Sequence, residues 1–71
     1  MSTDIRVRFG ARVRHLRKQR GWTQAEMADR LGIDRSYLAD IERGKRNVAL
    51  LNIQVIAEGF GMTIAQLFAR L

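Results

Sequence analysis

Gly32-Ile33-Asp34 separates two short helical segments, and that three-residue spacing limits the chain more than any other feature. The first segment opens on a capping box, Thr23-Gln24-Ala25-Glu26: the Thr23 hydroxyl can accept from the Glu26 amide while the Glu26 side chain reaches back to the Thr23 amide. It runs to about Leu31, with Met27, Ala28 and Leu31 inward and Gly32 as a left-handed stop. Asp34 caps the second segment, Leu38 and Ile41 face the core, and Gly44 closes it. A tight turn with glycine near its start sets the second helix across the first, the geometry of a helix-turn-helix.

The flanking pattern is also helical. Ser2 or Thr3 is expected to cap a first helix with Asp4 in its first turn, Phe9, Val13 and Leu16 as its buried stripe, and Gly21 as its end. A fourth helix is expected from about Ala49 to Gly59, buried through Leu50, Ile53, Ile56 and Ala57, with Phe60 just beyond. Thr63-Ile64-Ala65-Gln66 is a second capping box and opens a fifth helix. No segment shows strand alternation between hairpin turns, and no internal repeat is present. The expectation is an all-α, compact five-helix bundle: one domain over residues 1–71, with the motif at about 23–43 and two further helices at about 49–71.

Seventy-one residues lie near the lower limit for a self-supporting core and are too few to enclose a deep substrate cavity, which disfavours an enzyme. A triad using Ser36 and His15 can be written on paper, but nothing places an oxyanion hole or pocket beside it, so no catalytic residue is assigned. With no cysteine and one histidine, neither a disulfide framework nor a metal site of the usual Cys/His spacing can be built, and no cofactor is expected. The N-terminus MSTDIRVRF has no apolar signal core and no run approaches a membrane span, so a cytoplasmic protein is expected. Thirteen Lys/Arg against seven Asp/Glu, a net charge of +6, favour a polyanionic partner, nucleic acid before membrane.

In a helix-turn-helix the second helix enters the DNA major groove and uses its N-terminal residues on base edges, while the first crosses the backbone. Arg35, Ser36 and Tyr37 occupy that first turn. Arg35 can donate two hydrogen bonds to the O6 and N7 of guanine, Ser36 can bond to several bases, and Tyr37 can contact a thymine methyl or a phosphate. Packing of Tyr37 on the domain surface is the competing reading.

The stretch GWTQAEMADRLGIDRSYLADIERGKRN resembles the helix-turn-helix core of the Cro and phage-repressor superfamily, the XRE-like regulators, with similarity from about Phe9 to Phe68. The resemblance implies a lambda-repressor-like DNA-binding fold. Within the superfamily, Asp-Arg-Ser-Tyr and the Ile-Glu-Arg … Arg-Asn ending most resemble the controller proteins of restriction-modification systems. By this resemblance Thr23 and Gln24 contact the DNA backbone, with Gln24 also orienting base-reading side chains. Arg43 and Arg46 reach bases or backbone, with Lys45 and Asn47 on phosphate. Arg17 late in the first helix and Glu42 late in the recognition helix match positions that are commonly paired, and such a pair would fix the recognition helix's angle. Asp40 and Glu58 offer no partner logic and are read as solvated, as are most of the seven Lys/Arg from Arg6 to Arg20.

Leu51 and Val55 are apolar where the family pattern is often polar, and Phe68 and Leu71 add apolar surface at the C-terminus. The surplus suggests a two-fold homodimer through the last two helices. Completion of a small core by Leu51 and Phe68 stays open. The expected function is a sequence-specific transcriptional regulator, an autoregulating controller bound as a homodimer to a pseudo-palindromic operator on double-stranded DNA. No small-molecule ligand is evident. An antitoxin of the same fold, or a phage-type repressor, is the alternative.

Overall fold

The computed structural model describes residues 4–71, and among them the chain forms five helices and no strand: α1 (Ile5–Gln19), α2 (Gln24–Leu31), α3 (Arg35–Glu42), α4 (Leu50–Gly59) and α5 (Ile64–Phe68). Four helices start on the side-chain caps their sequences offer. Thr23 and Thr63 both close full capping boxes, with Glu26 and Gln66 as reciprocal partners. Asp34 accepts from the amides of Ser36 and Tyr37 at the start of α3. Ser2 and Thr3, expected to cap α1, lie outside the described residues. Asp4 is itself the N-cap, not a first-turn residue, and accepts from the Arg6 amide at 2.9 Å.

The turn between α2 and α3 rests on one glycine. Gly32 adopts φ 68°, ψ 31°, a left-handed conformation costly for residues with a Cβ, and its amide together with that of Ile33 closes back on Ala28 and Asp29 carbonyls. The chain then turns at once into the Asp34 cap.

The core gathers Phe9, Val13 and Leu16 of α1, Met27 and Ala28 of α2, Leu38 and Ile41 of α3, and Ile56, Ala57, Phe60 and Leu67 from the last two helices and the turn between them. One expectation fails here. Leu50, expected inside, is 81% exposed. Helical side chains tilt toward the N-terminus, so this first-turn leucine projects past the end of α4, while Val48 packs against the core from the preceding loop. Four of the seven Lys/Arg from Arg6 to Arg20 are exposed, as expected, yet several of the seven also reach backbone carbonyls of the C-terminal part of the chain. Arg12 donates to the carbonyls of Gln66 and Leu67, both at 3.0 Å, Arg20 to that of Phe60 at 2.5 Å, and Arg8 to that of Leu71 at 3.4 Å. The last carbonyls of a helix have no intrahelical partner, and α1 supplies cations to the ends of α4 and α5.

Candidate nucleic-acid interface

The angle of α3 is fixed by polar groups as well as by its apolar face. Arg17 donates to Glu42 through Nε (2.7 Å to Oε2) and Nη2 (3.0 Å to Oε1), and its Nη1 reaches the Trp22 carbonyl at 2.8 Å. Gln24 Nε2 donates to Glu42 Oε1 at 3.1 Å. One carboxylate thus ties α1 and the start of α2 to the end of α3, and Arg17 also bonds the loop between α1 and α2. The side chains of Arg17 and Glu42 are only 10% and 3% exposed. Burial of an ion pair is tolerated when the remaining donors and acceptors are satisfied, as they are here. The Glu42 carboxylate holds the Arg17 guanidinium above its ordinary pKa.

The backbones of α1 and α3 come together at Gly10. A Cβ there would overlap the Ile41 carbonyl oxygen and lie 2.8 Å from that of Glu42. Sequence reasoning passed over Gly10; the signal was a glycine inside an otherwise continuous helical pattern, which needs a packing reason to be tolerated.

With α3 seated, its first turn is left open. Arg35 and Ser36 are exposed, and neither side chain is engaged in a hydrogen bond or ion pair among the described residues. Tyr37 is different. It is half-buried against the core, its hydroxyl accepts from Asn52 Nδ2 of α4 at 3.0 Å, and its ring lies under the Arg46 guanidinium at 5.3 Å. Its phenolic proton remains available to an acceptor, so the residue joins a packed body to a polar tip. Asn52 was not anticipated, because nothing local distinguishes an asparagine that meets a side chain fifteen residues away.

At the other end of α3, Asp40 is paired, contrary to its reading as solvated. Arg43 Nη2 lies 2.5 Å from Asp40 Oδ1 and Arg46 Nε 3.4 Å from Oδ2. The missed spacing is i, i+3 along the helix for Arg43, with the glycine turn bringing Arg46 back. Arg43, with Arg46 behind it, holds the Asp40 carboxyl below the usual carboxylate range. Lys45 and Asn47 are exposed in the same turn, while Thr23 is occupied by its capping box.

The apolar residues divide. Leu51 is 74% exposed, and Val55, one turn on, is half-buried. Phe68 and Leu71 pack against the core, Phe68 stacked on Phe9 with ring centroids 5.2 Å apart. Both stay partly exposed, so each packs on its own core and still offers apolar surface. Among the described residues no group of three His, Cys, Asp or Glu could hold a metal ion, and no helix is long and apolar enough to cross a membrane.

The helix-turn-helix family model matches residues 13–67. The chain is 42% identical over 67 residues to control protein C.MunI of Mycoplasma sp, covering 93% of this chain and 90% of that protein. It is 40% identical over 63 residues to control protein C.BamHI of Bacillus amyloliquefaciens, covering 87% and 78%. Among solved structures, the restriction-modification controller protein C.AhdI from Aeromonas hydrophila superposes with a TM-score of 0.84 at 43% identity, over 89% of this chain and 96% of that one.

Proposed function

This chain belongs to the helix-turn-helix family of XRE-like regulators, and on that premise we propose that it is the autoregulating controller of a restriction-modification system, a homodimer that reads a pseudo-palindromic operator. It is a DNA-binding regulator by kinship, its relatives are regulators and not enzymes, and the reading carries no catalytic step. The observation that carries it is the contrast along α3: a helix clamped at Glu42 presents Arg35 and Ser36, exposed and unengaged, where a major-groove reader needs them. Base readout is assigned to Arg35, Ser36, Tyr37, Arg43 and Arg46. Backbone contact falls to Gln24, Lys45 and Asn47, with Thr23 at the helix N-terminus facing phosphate.

Leu51 and Val55 are the proposed centre of the dimer face. A leucine three-quarters exposed in so small a chain is a surface awaiting cover. A two-fold axis there requires an operator whose half-site centres lie about one helical turn, roughly 10 base pairs and 34 Å, apart. A controller of this kind works in the cytoplasm, at the nucleoid.

Selection of bound duplexes from a random pool, followed by footprinting, tests both statements. A repeated, inverted half-site with that spacing is expected, and Leu51→Glu should sediment as a folded monomer that has lost most specific affinity. A native protein that sediments as a monomer at micromolar concentration and protects one unrepeated half-site overturns the dimer; a pool that yields no enriched sequence overturns specific readout.

A further inference from the structure

Resting on the DNA-reading role above, we propose that Asp40 is a positioning residue that sets specificity: it holds Arg43 and Arg46 in place for base edges and cancels part of their attraction for any phosphate. Its carboxylate lies between the two guanidiniums, with Arg43 on Oδ1 and Arg46 on Oδ2. Arg46 also lies over the Tyr37 ring, and Tyr37 is in turn held by Asn52. The carboxylate is the sheltered partner, 26% exposed, against 59% and 50% for the arginines. No other carboxylate bonds either guanidinium among the described residues.

Each guanidinium has five N–H donors, so one bond to Asp40 leaves enough for the paired acceptors of a guanine edge. A loose arginine, by contrast, is a mobile cation that finds phosphate on any sequence, and phosphate contacts carry no sequence information. Orienting the side chain beforehand removes part of the ordering cost of a base contact. The negative charge of Asp40 also opposes approach to random phosphate. Both effects weaken non-specific binding relative to operator binding.

The test compares native protein, Asp40→Asn, Asp40→Glu and the control Glu58→Gln on a selected operator and on a random duplex of equal length, across a salt series. Glu58 is exposed at the end of α4 and lies outside the proposed reading surface. Asp40→Asn should bind random DNA more tightly, with a salt slope steeper by about 0.9 for each further phosphate that the freed arginines neutralise. Its operator-to-random ratio should fall roughly tenfold, the scale of one base contact. Asp40→Glu keeps the charge but moves it by one methylene, so the ratio should fall with the slope unchanged. Glu58→Gln should shift both duplexes alike.

An equal ratio in Asp40→Asn and Glu58→Gln would reduce Asp40 to bulk charge and overturn the proposal. So would a collapse of the Asp40→Asn melting temperature, which would make the residue structural. If the native protein itself fails to distinguish the duplexes, the DNA-reading function fails with it; if it distinguishes them and Asp40→Asn does so equally well, only the positioning role is lost.

Discussion

Helix α3 carries two carboxylates two residues apart, Asp40 and Glu42, each gripped by arginine, and they serve opposite ends. At about 100° per residue they point to nearly opposite sides of the helix. Glu42 turns inward, 3% exposed, and meets Arg17 and Gln24; Asp40 turns outward, 26% exposed, and meets Arg43 and Arg46. The chemistry is the same and the surroundings differ. Where water is excluded, the pair cannot be exchanged and becomes part of the architecture; where water reaches it, the pair contributes little to stability and its arginines can be handed to another acceptor.

The largest expected effect lies on the inner side. Arg17→Ala leaves the Glu42 carboxylate buried with only Gln24 for a partner, and removing one member of a fully buried pair costs about 3 to 5 kcal/mol. With the Arg17 side chain 10% exposed, denaturant unfolding should report a loss of about 3 kcal/mol, the lower end of that range, with DNA affinity falling because α3 loses its angle. Arg46→Ala should weaken DNA binding while changing stability by no more than about 0.5 kcal/mol. Equal stabilities for the two variants would erase the distinction between the clusters.

Gly10→Ala tests the same seat without touching a charge. Helix propensity alone favours alanine by about 1 kcal/mol in a helix interior. The new Cβ meets the backbone carbonyls of Ile41 and Glu42, which cannot swing aside as a side chain would. Overpacking of this kind costs about 1 to 3 kcal/mol, so a net loss is expected in the same unfolding assay. A gain in stability would mean that α1 and α3 do not approach so closely, and that Glu42 alone fixes the helix.

What the sequence disclosed follows from the range of each interaction. The capping boxes at Thr23 and Thr63, the Asp34 cap and the Gly32 stop were legible because each is completed within four residues. Arg17 and Glu42 stand 25 residues apart, and only a family resemblance could suggest their meeting. Asn52 and the carbonyl contacts of Arg12 and Arg20 were illegible for the same reason, since each depends on which backbone or side chain the fold brings alongside, whereas Gly10 left a local mark that did not say what it meets. Leu50 misled because periodicity records a face but not where the neighbouring surface ends.

On the outer side the expected effects move from stability to recognition. Arg35→Ala should leave the unfolding curve in place, since the side chain is exposed and bonds nothing among the described residues, and should remove about 1 to 3 kcal/mol of discrimination at one base pair per half-site. Competition binding against single-base operator variants reads this directly. Equal weakening on every sequence would assign Arg35 to phosphate and shift base reading toward the Asp40 cluster.

The smallest effect is the titration of Asp40, which asks whether the outer cluster persists in solution. The Arg43 hydrogen bond, with help from Arg46, lowers its pKa from the ordinary 3.8. A carboxyl whose folded pKa lies below its unfolded value contributes its stability above the unfolded value and loses it as pH falls through the folded one. The pair should therefore be intact at neutral pH and down to about pH 5, with any decline confined to acid below the ordinary carboxylate range. Because water still reaches the half-buried group and both arginines, that decline should be slight in unfolding experiments, and the carboxyl carbon resonance of Asp40 is the better probe. Its midpoint should lie under 3.8 in the native protein and move back toward it in Arg43→Ala. A native midpoint at or above the ordinary value would show guanidiniums that are not held by Asp40 in water. The inner and outer carboxylates of α3 would then differ in whether an arginine is bound at all, as well as in burial.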